Sequence, residues 1–287
     1  YTEEGMSRLL LLLPKEAHCV MEATGVYHTR LALRLHESGR QVSVVNPVVI
    51  KRFIQMHLSR VKSDKADAKK IREYAEQNKL VIWTPSETEI VELQQAHSWL
   101  DDLIRDRTRL TNRQEAHKHQ ARPSKFVKKQ MSGQKDHLNS QIKASEKHLE
   151  AVVKKSFPEL YERLQTIPSI GPKTALELIT ITNGFQQFKD VKSLSAYVGV
   201  SPTTYSSGTS VKGKGGIAKM GRGRMRQLLY LCSWTAKRSN KECKALNDRL
   251  KEAGKAPKVI NIAIAHKLLR QAHAVATKGT NYCERSA

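Results

Sequence analysis

Short apolar segments alternate with amphipathic ones from the start of the chain to Trp83, and this alternation restricts the fold more than any other feature. Ala17–Met21 reads as a strand running straight into Glu22, and Gln41–Val45 as a second strand closed by Asn46-Pro47. Between them a turn at Thr24-Gly25 leads into a helix over Val26–Glu37, which Gly39 stops. Val48–Asn78 reads as mainly helical and Leu80–Trp83 as a last short strand, while Ser7–Leu13 forms a helix ending at Pro14. Short, apolar strands separated by helices are the signature of an α/β fold with a covered sheet.

The pattern then changes. From Ser86 to about Arg113 an apolar stripe of Ile90, Leu93, Ala96 or His97, Leu100, Leu103 and Leu110 runs at helical spacing. Ala121–Gly133 breaks it with Pro123 and Gly133, and a second helix follows over Gln134–Lys155, carrying Leu138, Ile142, Leu149 and Val152. Two long helices around a break predict an antiparallel pair or coiled-coil arm. His97, His117, His119, His137 and His148 fall here and are expected on solvated faces.

Phe157-Pro158 opens a third region. Leu164–Ala175 has the form of a helix-hairpin-helix, which holds nucleic-acid phosphates with hairpin amides and the next helix N-terminus. Ser169 stands where such a hairpin usually has its first glycine, and Gly171, Lys173 and Thr174 complete the candidate phosphate contacts; a plain helical turn is the alternative. Phe185, Phe188, Val191, Leu194, Tyr197 and Val198 supply a small core before Gly199-Val-Ser-Pro202. Helices are expected over Gly223–Arg238 and Lys258–Ala274, with a loose tail over residues 277–287. The resulting domains are 1–85, 86–156 and 157–276, followed by that tail.

Between the small core and the Gly223 helix lies Tyr205–Arg226, rich in glycine and devoid of acids. Ser206, Ser207 and Ser210 sit at its front, followed by Lys212, Lys214, Lys219, Arg222, Arg224 and Arg226. Glycines let backbone approach a bulky partner, and the cations call for a strongly anionic one. With 50 lysines and arginines against 27 acids, a formal charge of +23, that partner is nucleic acid before an anionic membrane surface. No apolar run approaches a membrane span, and the scattered Cys19, Cys232, Cys243 and Cys283 read as reduced thiols of a cytoplasmic protein.

One acidic set stands out against this basic background. Glu22 ends the first strand, and the i, i+3 spacing of Asp64 and Asp67 puts both carboxylates on one side of a helix. Hard oxygens so placed suit Mg²⁺ or Mn²⁺, although Asp64 could equally cap the helix or pair with Lys62 and Lys65.

Met21–His28, Val44–Pro47 and Arg60–Asp67 in the first half, and Ile167–Ala175, Gly199–Pro202, Ser207-Gly208 and Lys219–Arg226 in the second, resemble the IS110/IS1111-type transposases, the RNA-guided bridge recombinases, together with the related Piv-type DNA invertases. The resemblance implies a RuvC-like, RNase-H-fold domain bearing a DEDD acidic set, a helical coiled-coil arm, and a mostly helical C-terminal transposase domain bearing a nucleophilic serine. By motif, Glu22, Asp64 and Asp67 correspond to the second, third and fourth acids and would hold Mg²⁺ or Mn²⁺; the nucleophile falls on Ser207. The first acid belongs to a Gly-Ile-Asp-Val-Ser-like strand that does not precede Glu22 here, so an N-terminally incomplete RuvC-like domain is expected. The implied partners are donor and target duplex DNA, a structured guide RNA, and further copies of the chain as a dimer or tetramer, with the acids of one subunit meeting the serine of another. A RuvC-like nuclease that activates water and a non-catalytic nucleic-acid-binding protein are the rival readings.

Overall fold

The computed structural model describes residues 2–57, 63–188, 190–203, 206–207, 211–212, 216–217 and 221–284. The chain is mostly helical with a small sheet and divides into two compact units, Tyr1–Glu87 and Thr88–Ala287.

In the first unit, β1 (His18–Glu22) pairs in parallel with β2 (Gln41–Val45), with His18 opposite Gln41 and Glu22 opposite Val45. A parallel pair needs a crossover, and the helix Tyr27–Glu37 supplies it. This helix is α2; α1 (Glu3–Leu12) precedes the sheet, and α3 (Pro47–Met56) and α4 (Asp64–Gln77) follow it. The core gathers Ala32, Leu35 and Val42, with Leu10, Cys19, Met21 and Trp83 against them. Arg40 is buried because it closes α1: its guanidinium donates to the carbonyls of Leu10 and Leu13 at 2.7 Å and of Pro14 at 3.1 Å. A cation there satisfies orphan carbonyls and complements the helix dipole.

Leu80–Trp83, expected as a strand, is not one. The Trp83 amide donates to the Val42 carbonyl at 2.7 Å and Ser43 Oγ donates to the Val81 carbonyl at 2.8 Å, so the segment lies along β2 without a ladder. The helical stretch after β2 is two helices, and Ser63, not Asp64, caps the second, accepting from the Ala66 amide at 3.3 Å.

In the second unit, α5 (Thr88–Lys118) and α6 (Lys125–Ser156) run antiparallel, as the Arg107–Asn139, Gln114–Lys135 and Glu92–His148 contacts show. Each helix is about 47 Å long at 1.5 Å per residue. The break between them is shorter than its sequence suggests: α6 starts on the Ser124 cap, and Gly133 lies inside it. The seam buries Leu93, Leu100, Leu103 and Leu110 of α5 with Leu138, Ile142, Leu149 and Val153 of α6, and Ile90 and His97 of α5 are buried too. His97, rather than Ala96, takes the buried position of the apolar stripe, and His117 is buried contrary to the expectation of a solvated face, because both fall on the seam repeat. His117 Nε2 lies 3.1 Å from the Ser124 carbonyl across the turn.

The seam continues into the packing of α7 (Pro158–Gln165), α8 (Pro172–Thr182), α9 (Val191–Val198), α10 (Gly223–Ser239), α11 (Lys241–Glu252) and α12 (Pro257–Lys278). α8 and α12 form its middle: Leu178, Ile179, Ile264, Ala265, Leu268 and Leu269 are fully enclosed. The expected loose tail is tied down as far as Glu284. Thr277 and Lys278 belong to α12, the Tyr282 amide donates to Thr166 Oγ1 at 2.9 Å, and Glu284 pairs with Lys241 at 2.9 Å.

Candidate catalytic residues and nucleic-acid interface

Glu22 ends β1, while Asp64 and Asp67 occupy the first turn of α4, where carboxylates also complement the helix dipole. No described residue pairs with Asp64 or Asp67 through its side chain. The three supply hard oxygen donors of the kind Mg²⁺ or Mn²⁺ prefers. They do not close a ligand set: among the described residues no three His, Cys, Asp or Glu side chains gather within reach of one ion. Arg60–Lys62 of the same motif lie outside the described residues.

Ser207 lies on β4 (Ser206–Ser207), which pairs antiparallel with β5 (Val211–Lys212). β3 (Pro202–Thr203) pairs with β6 (Gly216–Ile217), Pro202 facing Ile217. The side chains of Ser207 and Lys212, and Lys214 and Lys219 altogether, lie outside the described residues. Among its described residues the stretch holds strands of two short antiparallel ladders between α9 and α10, where the sequence offered only a glycine-rich loop.

Its exit is fixed by backbone contact. Gly221 has φ +117°, and a Cβ there would stand 2.7 Å from the Tyr197 carbonyl oxygen and 2.9 Å from the Gly199 nitrogen. Only glycine allows α10 to start so close to the end of α9.

The three arginines that follow have different tasks. Arg222 is exposed; its Nε donates to Tyr197 Oη at 2.8 Å, and its guanidinium lies 5.2 Å from the centre of that ring. Arg226 Nη1 donates to the Val198 carbonyl at 3.2 Å. Arg224 turns inward: Nη1 is 2.6 Å from Asp101 Oδ1 on α5, and Nε is 3.1 Å from Glu177 Oε2 on α8. Glu177 is buried, and its other oxygen lies 3.0 Å from His97 Nε2, close in distance but misaligned for a hydrogen bond. A buried carboxylate must be paired, so Arg224 is held by the protein rather than presented to a ligand. The sequence carried one sign of this: Glu177 is the lone charge in the apolar body of α8.

The hairpin between α7 and α8 has the arrangement of a type II turn. The Ile170 amide donates to the Ile167 carbonyl at 3.0 Å, Pro168 takes the second position, and Ser169 has φ +81°. Serine thus adopts the left-handed conformation that glycine usually supplies, and its hydroxyl meets Ser239 Oγ at 2.7 Å. Gly171 caps α8 on the exposed side. Lys173 pairs with Glu146 at 2.8 Å but stays largely exposed. Thr174 is buried, its Oγ1 3.3 Å from Cys232 Sγ, so its hydroxyl faces the protein interior.

No helix of the described residues is long and apolar enough to cross a membrane. A model described as "Transposase IS116/IS110/IS902 family" matches residues 161–247, and a DEDD-type IS110 transposase model matches residues 2–123. The chain is 30% identical over 266 residues to the pilin gene-inverting protein of Moraxella lacunata, covering 90% of this chain and 79% of that protein. Its Moraxella bovis counterpart matches to the same extent. The transposase for insertion sequence element IS1328 of Yersinia enterocolitica is 26% identical over 284 residues, covering 87% of this chain and 81% of that one.

Proposed function

The chain belongs to the IS110 family of transposases, DNA recombination enzymes, and from that premise we propose that it cuts and rejoins DNA through a covalent phosphoserine at Ser207. The observation that carries this reading is the setting of Ser207, on a short ladder within a basic stretch whose exit is locked by Gly221. A nucleophile needs a fixed approach to phosphorus, and anchoring of the strand that carries it would supply one.

In the first step Ser207 Oγ forms a bond to phosphorus, and the bond from phosphorus to the departing sugar oxygen breaks. The serine proton is lost as that oxygen gains one, leaving a phosphoserine and a free strand hydroxyl. A second strand hydroxyl then attacks the phosphoserine, restoring the phosphodiester and releasing Ser207. One ester replaces another at each step, so no nucleotide hydrolysis is required. Lys212, Lys214, Lys219, Arg222 and Arg226 offset charge on the phosphate as it forms five bonds, while Arg224 holds the base of the stretch in place. Glu22, Asp64 and Asp67 would contribute ligands to a divalent cation, Mg²⁺ or Mn²⁺, which when bound polarises the scissile phosphate.

The substrates are donor and target duplexes, bound by a dimer that becomes a tetramer on DNA. Target choice comes from a structured guide RNA that pairs with both. The 30% identity to pilin gene-inverting proteins favours a second reading, in which the same chemistry inverts a segment chosen by protein contacts. A reporter that scores both excision and inversion separates them, with full-length protein and with or without RNA transcribed from the DNA flanking its gene. Recombination that needs the RNA supports guidance; inversion without it supports the second reading. No product under either condition contradicts both.

A further inference from the structure

The outward face of α10 lies beside the hairpin and has no part in the chemistry above. Trp234 and Thr235 stand three and four residues after Leu231 and four and three before Arg238, so the four share one side of the helix. All four are exposed, Leu231 at 56% and Trp234 at 54%. Lys237 Nζ lies 5.0 Å from the centre of the Trp234 ring, and the Tyr230 ring meets it edge-on at 6.3 Å. Tyr230 is itself held, its hydroxyl accepting from Asn261 Nδ2 of α12 at 3.2 Å. The indole is thus an exposed aromatic surface on a rigid helix, with a cation against it.

The hairpin is bolted to the C-terminal end of the same helix. Ser239 Oγ donates to the Thr235 carbonyl at 3.1 Å, which leaves its lone pairs for the Ser169 hydroxyl at 2.7 Å. Trp234 and Ser239 are separated by about 7.5 Å along the helix axis and about 140° around it, with Arg238 between them. We infer that this face is a stacking site for an unpaired nucleobase, with Trp234 as the platform and Arg238 and the hairpin on the adjoining backbone.

Local charge favours a nucleic-acid occupant: Lys237 and Arg238 flank the ring and α10 carries no acidic residue, whereas a nucleic-acid strand brings one phosphate per nucleotide. An aromatic ring flanked by cations is the composition that holds single strands without sequence preference. The inference rests on the recombinase reading only in supposing that strand exchange exposes unpaired bases.

The test is binding of fluorescently labelled oligothymidine, and of a blunt duplex of equal length, to the full-length protein by anisotropy over a range of salt concentrations. Stacking contributes about 1–3 kcal/mol per base, so Trp234→Ala should weaken oligothymidine binding by about five- to 150-fold. Its salt slope should stay unchanged, and Trp234→Phe should keep most of the affinity. Arg238→Ala should instead reduce the salt slope by about 0.7, the share of one phosphate contact on a single strand. Oligothymidine should quench the tryptophan emission of the wild type more than that of Trp234→Phe. Unchanged oligothymidine affinity in Trp234→Ala overturns the inference. So does a variant that binds normally but loses self-association by light scattering, which would show that the face covers a second copy. Neither result touches the Ser207 chemistry, because no strand is cut in this measurement.

Discussion

Arg224 at the start of α10 and Glu177 in the middle of α8 are joined by a 3.1 Å ion pair with Glu177 only 4% exposed. Removing one partner of such a pair leaves an uncompensated buried charge, which costs about 3–5 kcal/mol. Arg224→Ala and Glu177→Gln should therefore each lower the urea midpoint of the helical unit markedly. Joint replacement by methionine and leucine should recover much of the loss. If Arg224→Ala leaves stability intact and weakens only DNA binding, the arginine faces the ligand after all.

Gly221→Ala should be costly for a different reason. It combines φ +117° with a Cβ 2.7 Å from the Tyr197 carbonyl oxygen, and neither backbone can move without separating α9 from α10. A loss of about 2 kcal/mol or more is expected. Gly133→Ala, where the same test finds open space inside α6, should be neutral or slightly stabilising on helix propensity. Urea midpoints of the two variants make the comparison.

Burial, and then the neighbouring Arg270, hold the His266 imidazole below its ordinary pKa of 6.5. The unfolded chain therefore takes up a proton that the folded one refuses, so stability rises with pH in this window. The contribution is fully present above pH 6.5 and drains away as pH falls through that value towards the lower folded one. His266→Gln should flatten the stability profile between about pH 5 and 7, which urea midpoints at a series of pH values would show.

The cysteines should separate by reactivity. Cys283 is exposed, whereas burial pushes the Cys243 thiol up to about 12 and raises Cys232 as well. At neutral pH, alkylation followed by mass spectrometry should modify Cys283 first and reach Cys243 only after urea. Prompt labelling of Cys243 in native buffer would mean that α11 does not pack as described.

Periodicity carried the helices well and pairings poorly. The α5 seam was legible because its apolar residues repeat every three to four positions, and His97 and His117 follow the same repeat. Ser169 shows a limit of another kind: the turn demanded φ +81°, and a serine met the demand that the motif assigns to glycine. Leu80–Trp83 is apolar enough for a strand but makes only isolated bonds to β2, a distinction that composition does not encode. The inward role of Arg224 depends on Asp101 and Glu177, two partners far away in the chain, and nothing local separates it from Arg222 and Arg226. The motif singles out Glu22, Asp64 and Asp67, whereas among the described residues no three such side chains gather at one point, which only the fold can tell.

The most direct measurement follows label from DNA to protein. Full-length protein, divalent cation, RNA from the flanking DNA and end-labelled donor and target are incubated, and the protein is then denatured and resolved. The account predicts label retained on the wild-type chain and lost in both Ser207→Ala and Asp67→Ala. Cleaved DNA with no retained label, unchanged by Ser207→Ala, would contradict it and leave an enzyme that activates water instead.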